Sequence, residues 1–182
     1  MRASVQLTST ILLFSITCSL YGQTAASDQR RLDHIKLQLR MIGDCAGRTE
    51  KVQFKPDDEV CVQVLALNSG PNAVALIFAD YFVGYVPVLS KNGKSVGHSE
   101  AMQQRLAASD EQKRHFLDPN WQTKGGIISA RLPASTLTEA GLIILDSYYD
   151  RLEPGIYEIK VKYRELNGAE IESDPVMFEV IP

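Results

Sequence analysis

Three histidines, three cysteines and two knots of acids are the residues of this 182-residue chain whose types could do chemistry. His34, His98 and His115 stand far apart, and neither His-x-x-x-His nor Cys-x-x-Cys occurs, so no spacing gathers ligands for zinc. No Gly-x-Ser-x-Gly turn presents a serine nucleophile, and a hydrolase triad would have to assemble from scattered residues. Acids concentrate in "KPDDE" (Asp57, Asp58, Glu59) and "ELNGAEIESD" (Glu165, Glu170, Glu172, Asp174). Calcium needs several oxygens brought together, and no EF-hand spacing does so here. Both runs read as solvated turns. The expectation is a chain with no catalytic residue, no metal and no cofactor.

Cysteine chemistry depends on compartment. Residues 1–26 carry Arg2, an apolar run from Ile11 to Leu20 and then small residues to Ala26, which is the layout of a cleaved signal peptide. A membrane span needs about 20 apolar residues, more than this run offers, and no basic stop-transfer cluster follows. Acylation of Cys18 as a lipoprotein is a minor alternative, since "SITC" has Ser15 and Thr17 where a lipobox has Leu and Gly or Ala. In a secreted or periplasmic chain Cys45 and Cys61 meet oxidising conditions, and a disulfide between them is expected. Cleavage removes one of 19 basic residues and none of 22 acidic ones. The mature chain is therefore mildly acidic, its charges are scattered, and nothing draws it to nucleic acid or into a membrane.

Strand periodicity must position these groups. In "HIKLQLRMI" (residues 34–42) Ile35, Leu37, Leu39 and Met41 share one face, with His34, Lys36, Gln38 and Arg40 on the other. "EVCVQVLAL" is apolar on both faces and belongs mid-sheet. "AVALIFADYF" is a further strand. "GYVPVLSKNGKSV" is a hairpin turned at Asn92-Gly93, kept at an edge by Pro87. "GGIISARL" and "LIILDSYY" read as strands separated by "PASTLTEAG". "LEPGIYEIKVKY" alternates Tyr157, Ile159, Val161 and Tyr163 with charge, and after "LNG" the parity switch near Asp174-Pro175 calls for a bulge in a terminal edge strand. One helical segment, "SEAMQQRLAASDEQKRHFL", has Ser99 as its N-cap and a weak apolar stripe.

"YYDRLEPGIYEIKVKY" resembles the Tyr-Asp-Leu-x-x-Pro-Gly-x-Tyr pattern near the end of exported bacterial Ig-like domains, and more distantly the corner of fibronectin type III modules, with Tyr149, Asp150, Pro154, Gly155 and Tyr157 matching. "FKPDDEVCVQVLALNSG", "VLSKNGKSV" and "IESDPVMFEVI" extend the likeness over most of residues 50–182. It implies an Ig-like fold and a role in binding or spacing, without known chemistry. Pro154, Gly155 and Tyr157 then form a structural tyrosine corner, the hydroxyl of Tyr157 returning to backbone.

The expected architecture is all-β, an antiparallel Ig-like β-sandwich of about seven to nine strands with one short helical or loop insertion. After the signal peptide, residues 27–33 are a short linker and residues 34–182 a single domain, interrupted by an insertion at 97–125. On that insertion Arg114, His115, Phe116 and Trp121 are the candidate partner contacts, because aromatic and Arg anchors dominate interfaces. "DYFVGY" reads as core. The expected function is non-catalytic binding or scaffolding at a bacterial envelope or exterior, for an unknown protein or polysaccharide. The alternative is an enzyme whose site forms only on folding, or a protease-inhibitor-like sandwich using the 97–125 loop.

Overall fold

The computed structural model describes residues 30–78, 84–116, 128–165 and 169–182, with backbone alone at 77–78, 110–116 and 128–129. Its smaller sheet pairs β1 (Ile35–Ile42), β3 (Cys61–Asn68) and β8 (Thr136–Ile144) in the order β1-β3-β8, all antiparallel. The larger sheet runs β2 (Gln53–Phe54), β11 (Val176–Val180), β9 (Gly155–Arg164), β5 (Tyr85–Lys91) and β6 (Lys94–Ser95) in that order, with β10 (Glu170–Glu172) also on β9. Among the described residues only β2 and β11 pair in parallel. A separate antiparallel pair joins β4 (Val74–Phe78) to β7 (Ile128–Leu132).

The core lies between the two larger layers, where period-two alternation sends every second residue inward. From the smaller sheet come Leu37, Met41, Val62, Val64, Ala66 and Ile143; from the larger, Phe54, Leu89, Tyr157, Ile159, Val161, Tyr163, Phe178 and Val180. Phe178 stacks on Tyr157 with centroids 5.2 Å apart and meets Phe54 edge-on at 5.8 Å. Each fully buried Val, Leu, Ile, Phe or Met among them contributes about 1.5–3 kcal/mol through burial. The fold is thus an all-β antiparallel sandwich.

Several turn chemistries appear as the sequence predicts. Asn92 and Gly93 have φ of 50° and 76°, the positive pair that a two-residue hairpin turn needs. Glu172 faces Lys162 and Val176 faces Ile159 on β9, so the last strand spends one extra residue at 173–175, the expected bulge. The Ser173 hydroxyl accepts the Val161 N–H there at 3.0 Å. Pro87 sits where β5 has, among the described residues, no strand on its second side, consistent with an edge position.

Other expectations are corrected. Eleven strands are found among the described residues; β2, β6 and β10 have two or three residues, too few to carry a period. "TLTEAG" is strand, because β8 starts at Thr136; Ala140 is an extra residue opposite the Val64/Leu65 step, and this bulge lets an Ala-Gly pair pass through a ladder. Leu145–Ser147 forms a 3-10 turn, which ends that strand before "DSYY". The insertion helix, α1 (Glu100–Phe116), is 17 residues long rather than short. Ser99 caps it, its Oγ 3.4 Å from the Met102 N–H, and buried Met102 fastens it to the core. The closing strand is not the outermost one, because β2 covers β11. Finally, residues 30–33 are not linker: Leu32 is fully buried, and Arg31 bonds the Ala75 carbonyl and Glu165.

Candidate functional site

The two cysteines meet as expected, bridged with Cα atoms 5.7 Å apart across 16 positions. Cys61 opens β3, opposite Ile42 on one side and Ile144 on the other. Cys45 belongs to the 43–50 loop, a turn closed by Arg48 N–H to Asp44 carbonyl (3.0 Å) and by Gly43 N–H to Thr49 carbonyl (3.0 Å). Arg48, held at φ 57°, reaches Glu139 on β8, whose carboxylate also accepts from Gln63 Nε2 at 2.9 Å. The loop therefore lies over the outer face of the smaller sheet. Ile42 and Cys61 are fully buried yet are not members of the central core, which explains why "EVCVQVLAL" is apolar on both faces at its start.

The predicted corner also forms. Tyr157 Oη donates to the Glu153 carbonyl at 2.7 Å, and Lys91 Nζ lies 5.6 Å from the centroid of the Tyr157 ring and 3.1 Å from Glu153. That carboxylate raises the pKa of Lys91. Gly155, with φ 155°, is where a Cβ would come within 2.6 Å of Lys91 Cε. These contacts hold the shape of the corner.

Arg114, His115 and Phe116 fall on the last turn of α1, where side chains are outside the description, and Trp121 and most of "DYFVGY" lie outside the described residues. His34 is exposed, whereas His98 Nε2 is 2.8 Å from the Pro87 carbonyl and its ring stacks on Tyr149 at 4.9 Å. Tyr149 Oη donates to the same carbonyl at 2.7 Å, and burial pushes its pKa up. His98 and Tyr149 thus close the open edge of β5.

Most acids behave as solvated, paired groups. Asp57 and Asp58 share a 480 Å³ cleft with Asp146 and Asp150, but Arg151 neutralises Asp57, and Lys51 neutralises Asp58 at 2.6 Å. That lysine, and the Lys55 N–H at 2.8 Å, lower the pKa of Asp58. Glu165 departs from the solvated reading: it is 2% exposed and bonded by Arg31 and Tyr163. A buried carboxylate requires such partners.

The concavity that sequence reasoning missed is on the outer face of the larger sheet. β5 and β9 place Val88 opposite Lys160 and Ser90 opposite Glu158, while β11 places Met177 beside Glu158. With Ile156 and the hairpin at Asn92-Gly93 they line a depression of about 410 Å³. Ile156 is 51% exposed, Met177 52% and Val88 37%. Lys160 is held by Glu172 at 3.0 Å, which raises the pKa of the lysine and lowers that of the acid. Glu158 makes no ion pair of its own among the described residues. The available signal was apolar side chains at wet-face parity: Ile156 in "GIYEIK" and Met177 in "VMFEV".

No protein-family model matches the chain, and no curated protein matches it. The exported Ig-like likeness accordingly rests on the motifs quoted above.

Proposed function

We propose that the chain is a non-catalytic, exported binding or scaffolding module of a bacterial envelope or exterior, and that it grips a protein partner on the outer face of the larger sheet. The observation that carries this reading is the cluster of Val88, Ile156 and Met177, three large apolar side chains open to water around one depression on a rigid ladder. Exposed apolar groups gathered in one place mark interaction surfaces more often than scattered ones do. None of the described residues lining the depression is aromatic, which favours a protein over a polysaccharide, whose rings bind by stacking. The Cys45–Cys61 bridge suits an oxidising compartment, and no helix among the described residues is long and apolar enough to cross a membrane.

The test uses the chain without residues 1–26, immobilised against envelope extract beside the Ile156→Glu/Met177→Glu double variant. A partner retained by the parent and lost from the variant is the expected result. Equal retention by both would move the binding surface elsewhere. Failure to retain anything, with turnover of a generic ester, peptide or glycoside, would replace the binding reading with an enzymatic one.

A further inference from the structure

Next to the disulfide stands the exposed carboxylate of Glu59. One donor atom from each of Cys45, Glu59 and Cys61 lies within 4.8 Å of the other two. Glu59 makes no hydrogen bond or ion pair among the described residues, unlike its neighbour Asp58, which is held by Lys51. Two sulfurs and a carboxylate oxygen are a donor set that suits zinc and its thiophilic relatives, leaving a fourth tetrahedral position for water. Donors around such an ion stand roughly 3.5–3.8 Å apart. The Cα separation of 5.7 Å permits this once the S–S bond is gone.

We propose that Cys45, Glu59 and Cys61 form a redox-gated site for a thiophilic divalent cation, closed as the disulfide and opened by a dithiol reductant. Opening takes two electrons and two protons: the reductant's thiols become its disulfide, and the protein's S–S bond becomes two thiols. Binding the cation then releases those two protons, as the sulfurs coordinate as thiolates. Cys45 is partly exposed, so a reductant reaches it, whereas Cys61 is buried.

The backbone around the site does not depend on the bridge alone. Cys61 is laddered on both sides, and the neighbouring Val60 carbonyl accepts the Leu145 N–H at 2.9 Å. The 43–50 loop keeps its own turn bonds, the Lys51 N–H to Met41 carbonyl bond at 3.0 Å, and the Arg48–Glu139 pair. Reduction therefore leaves the two sulfurs adjacent.

The experiment uses the full chain with Cys18→Ser, so that only the pair responds. The protein is reduced, freed of reductant without air and titrated with Cd²⁺, while the ultraviolet thiolate-to-metal absorption is followed. One Cd²⁺ per chain is expected for the reduced protein and no band for the oxidised one. Glu59→Gln should weaken binding at least roughly tenfold, with Zn²⁺ competing for the same site. A reduced, folded chain without the band, or Glu59→Gln binding as tightly as its parent, would overturn the proposal. If reduction unfolds the chain, Cd²⁺ should restore its near-ultraviolet circular dichroism, because binding the folded form alone shifts the equilibrium toward it. Failure to restore that signal would equally reject the site.

Discussion

The outer faces of the two sheets meet the same problem and handle it differently. On the smaller sheet, Ile42 and Cys61 would be wet, but a loop is drawn over them, riveted by Cys45 and by Arg48 on Glu139. On the larger sheet Ile156, Met177 and Val88 occupy equivalent outward positions, and among the described residues no loop crosses them. Covering an apolar face stabilises a monomer, while leaving it open costs free energy unless something else covers it. The loop covers Ile42 and Cys61 at one end of the smaller sheet and, among the described residues, leaves only Leu137, 48% exposed, as a large apolar side chain open on that face, whereas the larger sheet gathers three around one depression, which is why the proposed contact is assigned there.

The contrast can be tested first in the core both walls share. Phe178→Ala removes the ring between Tyr157 and Phe54 and should cost about 3–5 kcal/mol, read as a lower urea midpoint. Replacing both Cys45 and Cys61 by Ala should cost about 3 kcal/mol in the chain-entropy account. The second loss belongs to the covered side alone, so partner binding by the folded variant should persist. If it vanished, the two faces would not be independent.

Legibility divides along similar lines. Long alternating runs were readable because burial on one side imposes a period of two: β1, β9 and the Asp174-Pro175 bulge are where their parity put them. The corner at Tyr157 and the Asn92-Gly93 turn were readable because local bonding and positive φ constrain residue type. Three kinds of feature were not. Two-residue strands such as β2 have no period, and the strand through "TLTEAG" looks like a turn because its bulge admits Ala140-Gly141. The half-buried Arg31–Glu165 pair joins residues 134 positions apart and leaves no trace in either neighbourhood. The apolar depression was hidden for a related reason: its members come from three strands, and each is a single exception within an otherwise regular pattern.

Smaller effects sharpen the same comparison. Tyr157→Phe deletes the corner bond to Glu153 and should lower stability by about 1 kcal/mol in urea denaturation. Ile156→Ser with Met177→Ser should change stability by no more than about 0.5 kcal/mol per site, since both side chains are already half in water, while abolishing partner retention. A large loss of stability there would mean the open face is structural after all.

The least effect comes from the ion pairs flanking each face, Asp58 with Lys51 beside the covered loop and Glu172 with Lys160 on the open sheet. Both acids have folded pKa values below their ordinary 3.8 and 4.5, lowered chiefly by the hydrogen bond from the lysine. A depressed acid binds fewer protons folded than unfolded, so its contribution is present above the ordinary value and fades as pH falls through the folded one. Solvent screening keeps both small. Urea midpoints taken from neutral pH downward should show Lys51→Met and Lys160→Met each losing a little of the acid-side slope, with the parent and variants converging at the lowest pH. If a partner settles on the larger sheet, its presence should shield the Glu172 pair from salt and steepen that slope, while the Asp58 pair responds as before. Equal responses of the two pairs would argue that the partner does not sit where the apolar side chains are open.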